Sequence, residues 1–248
     1  MANDQMSMVE HLEDLRRVII VSFVALIVST IVIYAGFRDQ LMELILKPMH
    51  DMDLPLVYIT MTEAFLTHLK ASFFAAIFVS MPIIIWQVWS FVLPALYAHE
   101  RKYIVTIIPV SMILFVVGVL FSYFMVFPLA ARFLIEIAGE GLSPMISVSR
   151  YLSFLISFSI PFGIVFQLPL IVMLLTKLGI VTPEKLAEKR KYALFAIIVL
   201  SATLTPPDII SLSLMAGPVV VLYEVSIILA KIFYRKKKKV EQADDDEL

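Results

Sequence analysis

The stretch 16–37, RRVIIVSFVALIVSTIVIYAGF, decides the fold. Arg16 and Arg17 end a polar lead, and no charge follows until Arg38. An α-helix over 18–37 rises about 30 Å, the thickness of a bilayer's hydrocarbon core. Runs of similar or greater length recur at 69–93, 104–129 and 152–176. Two weaker runs follow at 193–205 and 209–230, split by Pro206, Pro207 and Asp208. With 60% hydrophobic residues and a mean hydropathy of +0.93, the chain is excluded as a water-soluble globule. The pattern predicts an all-α integral membrane protein with six transmembrane helices.

Net charge is −1 over 248 residues, so the distribution of bases is informative and their total is not. Fifteen of the twenty Lys and Arg fall in the N-terminal lead, the second and fourth loops, and the tail. They are Arg16, Arg17, Arg101, Lys102, Lys177, Lys185, Lys189, Arg190, Lys191, Lys231 and residues 235–239. Arg38, Lys47, Lys70, Arg132 and Arg150 lie on the other side. Short-loop bases stay in the cytoplasm, so both termini are predicted inside, the parity that six spans require. The first run is too long for a cleaved signal and follows acidic residues, and it is expected to be retained as a span.

There is no cysteine, hence no thiolate nucleophile or thiolate metal site. HExxH, GxSxG and Walker patterns are absent, and His11, His50, His68 and His99 lack ligand spacing. An enzyme is disfavoured, and no cofactor or metal is expected. Residues 1–234 read as one membrane domain. Residues 235–248, basic and then acidic, have the composition of a disordered cytoplasmic tail, a topology anchor with lipid-headgroup contact as the alternative. The loops 38–63 and 130–151, predicted outside, are poor in Gly and Ser and are expected to be ordered caps. The loops starting at Pro94 and Pro183 echo each other, each with Arg-Lys-Tyr at the membrane boundary.

Polar groups in apolar runs narrow the reading further. Pro161 and Pro169, with Gly163 between them, predict a kinked fourth helix. Ser153, Ser157 and Gln167 form a polar stripe on it, either interhelical glue or the wall of a polar cavity. The run 193–205 would rise only about 20 Å, so helices 5 and 6 are expected to be short, with the Pro206-Pro207-Asp208 turn below the outer surface. Asp208 is placed to cap helix 6, and Glu224 to pair with bases of the fourth loop or tail. Glu10, Glu13, Asp14 and Glu100 are each readable as solvated charges. Together they put carboxylates where a cationic ligand from the cytoplasm could dock.

Several segments together resemble the TatC family, the multispanning receptor subunit of the twin-arginine protein translocase. His11-Leu-Glu-Asp-Leu-Arg16 is similar to the family's H-L-x-E-L-R. Pro82 to Arg101, with Phe91, Pro94 and Glu100, is similar to its most distinctive stretch. Phe162 to Pro169, Gly179 to Pro183, and Thr205 to Asp208 complete the set. The resemblance implies binding of signal peptides with consecutive arginines on folded cargo proteins. It implies assembly with TatA-type, and in some systems TatB-type, single-span subunits in an oligomeric complex within the cell membrane. Export would then be driven by the proton motive force, with no nucleic acid involved and membrane lipids as surroundings.

The resemblance further implies that Asp14 and Glu100 contact the signal, with Glu13, Arg16 and Arg101 beside them. Pro48, Phe91, Pro94, Pro161, Pro169, Pro207, Asp208 and Glu224 are expected to serve structure or partner contacts. Two residues depart from the family pattern. Asp14 stands where a Glu is usual, and Gln167 replaces an acid found in many members, so Gln167 cannot relay a proton. The competing class is a secondary transporter, which would require paired intramembrane acids that this sequence lacks.

Overall fold

The computed structural model describes residues 8–50, 55–92, 104–137, 145–177, 179–205 and 208–246. Five helical stretches among them are long and apolar enough to cross a membrane: Leu12–Gly36, Met61–Phe91, Ile107–Ile137, Val148–Lys177 and Ile209–Tyr234. The chain divides into two compact units. One holds Met1–Met112 with Pro144–Ser153, and the other holds Ile113–Ser143 with Phe154–Leu248.

In the first unit, α1 (Met8–Gly36) packs along α3 (Met61–Val92). Tyr34 meets Phe65 edge-on at 6.1 Å between ring centroids. Among the described residues of α1 only Ile33 is buried, as suits a helix that gives most of its surface to lipid. By contrast α3 fully buries Ser72, Ala76 and Ser80, small residues one turn apart that permit close helix approach. The chain passes from α1 to α3 through α2 (Arg38–His50), which buries Met42, Ile45 and Met49 on one face. The Tyr151 hydroxyl donates to the Ile45 carbonyl at 2.6 Å.

The loops before α3 and before the fourth span meet in a two-residue parallel ladder. Strand β1 (Leu56–Val57) pairs with β2 (Ile146–Ser147), Leu56 opposite Ile146 and Val57 opposite Ser147. Among their described residues, the loops 38–63 and 130–151 carry both helix and strand.

The third span begins in the first unit and continues in the second, from α4 (Ile104–Phe121) through a π-turn (Ser122–Val126) into α5 (Phe127–Ile137). The Phe127 amide donates to the Ser122 carbonyl five residues back. Pro128 would drive its ring into the carbonyl of residue 124 in a regular α-helix, and the wider π-turn relieves that clash.

The fourth span is α6 (Val148–Val165) and α7 (Leu168–Lys177), interrupted at Phe166 and Gln167. Two prolines are expected to bend this span, and the helix interruption falls just before Pro169. Pro169 sits in the first turn of α7, and the carbonyl four residues before it belongs to Val165, where α6 stops. Pro161 is carried inside α6 without a break. The Gln167 carbonyl restarts the ladder, accepting from the amides of Leu170 and Ile171 at 3.0 Å each.

Close packing explains two glycines in this unit. A Cβ at Gly118 would lie 2.6 Å from the Phe162 carbonyl oxygen, and one at Gly163 would lie 2.6 Å from the Phe115 ring. Helix α7 ends in a Schellman motif: Gly179, at φ 75°, donates to Thr176, and Ile180 to Leu175. Thr182 then caps the one-turn α8 (Pro183–Glu188), with Pro183 at its first position.

Helix α9 (Arg190–Leu204) has 15 residues, a rise of about 22 Å, and is short as expected. Helix α10 (Ile209–Asp246) is not short. It has 38 residues, and its backbone stays helical through the block for which composition predicted a disordered tail. Elongation of an established helix needs no new nucleus, and Lys, Glu, Gln and Ala favour it. The core of the unit joins Val126, Ala130, Phe158, Phe162, Ile197, Met215, Ala216 and Val219. Helix α10 also packs on α7, where the Lys177 ammonium lies 5.3 Å from the Phe233 ring.

Candidate functional site

At the start of the first span, helix geometry brings Glu13, Asp14, Arg16 and Arg17 onto adjoining rows. With Ile20 and Val21 they line an open depression of about 390 Å³. Neither acid forms an ion pair with Arg16 or Arg17 among the described residues. Glu13 is exposed and Asp14 half-buried. Both carboxylates therefore keep acceptor capacity toward a ligand's guanidinium groups.

Glu100, Arg101, Pro94 and Pro207 lie outside the described residues. Phe91 is half-buried at the end of α3, and Pro48 sits in the last turns of α2. The stripe on the fourth span is spent locally in part. The Ser153 hydroxyl donates to the Ser149 carbonyl at 2.8 Å and that of Ser157 to Phe154 at 2.7 Å. Gln167 is half-buried at the helix break.

Asp208 caps α10 as expected, its Oδ1 accepting from the Ser211 amide at 2.6 Å. Glu224 pairs with Arg190 of the fourth loop at 2.8 Å. Beside it, the Tyr223 hydroxyl donates to the Leu186 carbonyl at 2.9 Å, tying α10 to α8.

The residue that reading by composition missed is Glu63. It is 7% exposed and accepts from the Ile59 amide at 2.6 Å, the Thr60 amide at 3.3 Å and the Ser149 amide at 3.1 Å. The Ser147 hydroxyl donates to it as well. Thr60-Met-Thr-Glu63 is a capping-box pattern, and that was the available signal. Tyr58 stands next to this group, and its phenol is pushed up by burial and then by the Glu63 charge.

Fold and site together define a multi-pass helical membrane protein with two paired loops and an acidic lead into its first span. The comparisons carry this further. The profile of the family described as Sec-independent protein translocase protein (TatC) matches residues 10–218. The TatC protein of Carboxydothermus hydrogenoformans is 47% identical over 238 residues, covering 96% of this chain and 98% of that protein. TatCy of Bacillus subtilis is 38% identical over 253 residues, covering 98% and 96%. The crystal structure of a twin-arginine translocase receptor, TatC, superposes with a TM-score of 0.81 at 34% identity, covering 90% of this chain and 99% of that one. This chain belongs to the TatC family.

Proposed function

We propose that this chain is the receptor subunit of a twin-arginine translocase in the cytoplasmic membrane, with six spans and both termini in the cytoplasm. Here α9 counts as a sixth, short crossing that starts at Arg190 and Lys191. The charge asymmetry of the connecting segments supports this orientation. One observation carries the proposal: the end-to-end likeness to a solved twin-arginine translocase receptor.

In this reading the paired arginines of a signal peptide dock on Asp14 and Glu100, with Glu13 adjacent and Arg16 and Arg101 orienting the acids. Bidentate guanidinium–carboxylate bonds recognise Arg over Lys, since an ammonium lacks the planar fork. Gln167 contributes hydrogen bonds to assembly without charge. TatA-type single-span subunits join the loaded receptor, and the proton motive force drives folded cargo outward.

The test is signal-peptide affinity for Glu100→Gln and Asp14→Asn, singly and combined, in folded protein. Loss of one charge-assisted bond worth roughly 1.5–3 kcal/mol lowers affinity by about 10-fold to 100-fold. An exposed ion pair would contribute about 1 kcal/mol or less. A double variant that binds as tightly as the parent and still prefers twin arginine to twin lysine overturns the assignment.

A further inference from the structure

Lys189 and Lys191 converge on one ring. Their ammonium groups lie 5.1 and 5.2 Å from the centroid of Tyr192, which is 58% exposed. Arg190, between them in sequence, is engaged by Glu224. Lys189 and Lys191 form no ion pair among the described residues, although Glu184 and Glu188 are close in sequence. Two like charges gathered on an exposed phenol repel each other, and a shared anion relieves that repulsion.

The surface that continues from this ring is apolar. Leu194, Phe195, Ile198 and Val199 are all exposed on α9. A small soluble anion would have no use for that ridge, whereas a lipid uses both parts. The helix itself rises about 22 Å against a core of about 30 Å, so the bilayer beside it must adapt. A lipid pinned by its headgroup at this end would set the local depth.

We propose that the α8–α9 junction binds one anionic phospholipid, its phosphodiester held by Lys189 and Lys191 over Tyr192 and its acyl chains along the exposed ridge of α9. The site is independent of the signal-peptide acids.

The experiment is native mass spectrometry of the full chain in neutral detergent, titrated with phosphatidylglycerol, phosphatidylcholine or inorganic phosphate. The expected result is one phosphatidylglycerol bound in preference to phosphatidylcholine. Lys189→Gln with Lys191→Gln lowers that affinity by about 10-fold to 30-fold, the effect of removing two lysines from an anionic surface. Lys189→Arg with Lys191→Arg retains it, which separates charge loss from misfolding, and Lys47→Gln leaves it unchanged. Phe195→Ala weakens the lipid and not phosphate. Equal binding of the two lipids, or a Gln pair that keeps the preference, overturns the proposal. Phosphate competing fully while Phe195→Ala has no effect would make this a free-anion site, and full displacement by an acidic peptide would make it a protein contact. Either result also rejects the lipid.

Discussion

Glu63 accepts a hydrogen bond from the hydroxyl of Ser147, a residue 84 positions further along the chain. The same carboxylate takes the Ile59 and Thr60 amides at the start of α3 and the Ser149 amide at the start of α6. One side chain therefore satisfies orphan donors of two helices and lies at the positive ends of both. The β1–β2 ladder ends beside it, so the carboxylate and the ladder hold the same two loops.

Substitutions at this clamp should rank by the acceptors they remove. Glu63→Ala strands three amides and one hydroxyl and should lower the melting temperature most. Glu63→Gln keeps an acceptor oxygen and should fall between, and Ser147→Ala should be mildest. Amide exchange at Ile59, Thr60 and Ser149 should accelerate in the same order. Unchanged exchange at Ser149 in Glu63→Ala would break the clamp account.

The glycines of the second unit should not be equivalent. Gly118→Ala forces a methyl to 2.6 Å from a backbone oxygen and should cost about 1–3 kcal/mol. At Gly217 a Cβ meets nothing within 4 Å, so Gly217→Ala should be neutral or gain up to ~1 kcal/mol from helix propensity. Melting of the two variants in one detergent checks the contrast, and equal effects would contradict it.

Asp208→Ala should destabilise α10 by about 1 kcal/mol through loss of its cap, and Asp208→Ser should recover most of that. Thermal unfolding followed by circular dichroism decides this. An Ala variant as stable as the parent would assign the cap no energetic role.

The Arg190–Glu224 pair is 47% and 42% exposed, so solvent screens it. A double-mutant cycle with Arg190→Gln and Glu224→Gln should return a coupling of about 1 kcal/mol or less, shrinking as salt rises. A large, salt-independent coupling would mean that the lipid or a partner buries the pair.

The four long spans before α9 were legible because hydrophobic length is set by the chain against its solvent, residue by residue. Local chemistry was legible for the same reason: Asp208 faces amides three residues away, and the rise of α9 and return of α10 bring Glu224 back to the fourth loop. Tertiary structure decided what depends on distant partners. No periodicity marks Gly118 as a place where the Phe162 carbonyl approaches. Composition does not reveal that Glu63 and Ser147 meet, or that Leu56 registers with Ile146. The helix break falls before Pro169 and α10 runs on past the apolar segment, because helix breaks and ends follow backbone sterics and cooperative elongation as well as hydropathy. Spans come from transfer of side chains out of water, which is additive and local, whereas clamps and close crossings come from packing between segments far apart in sequence.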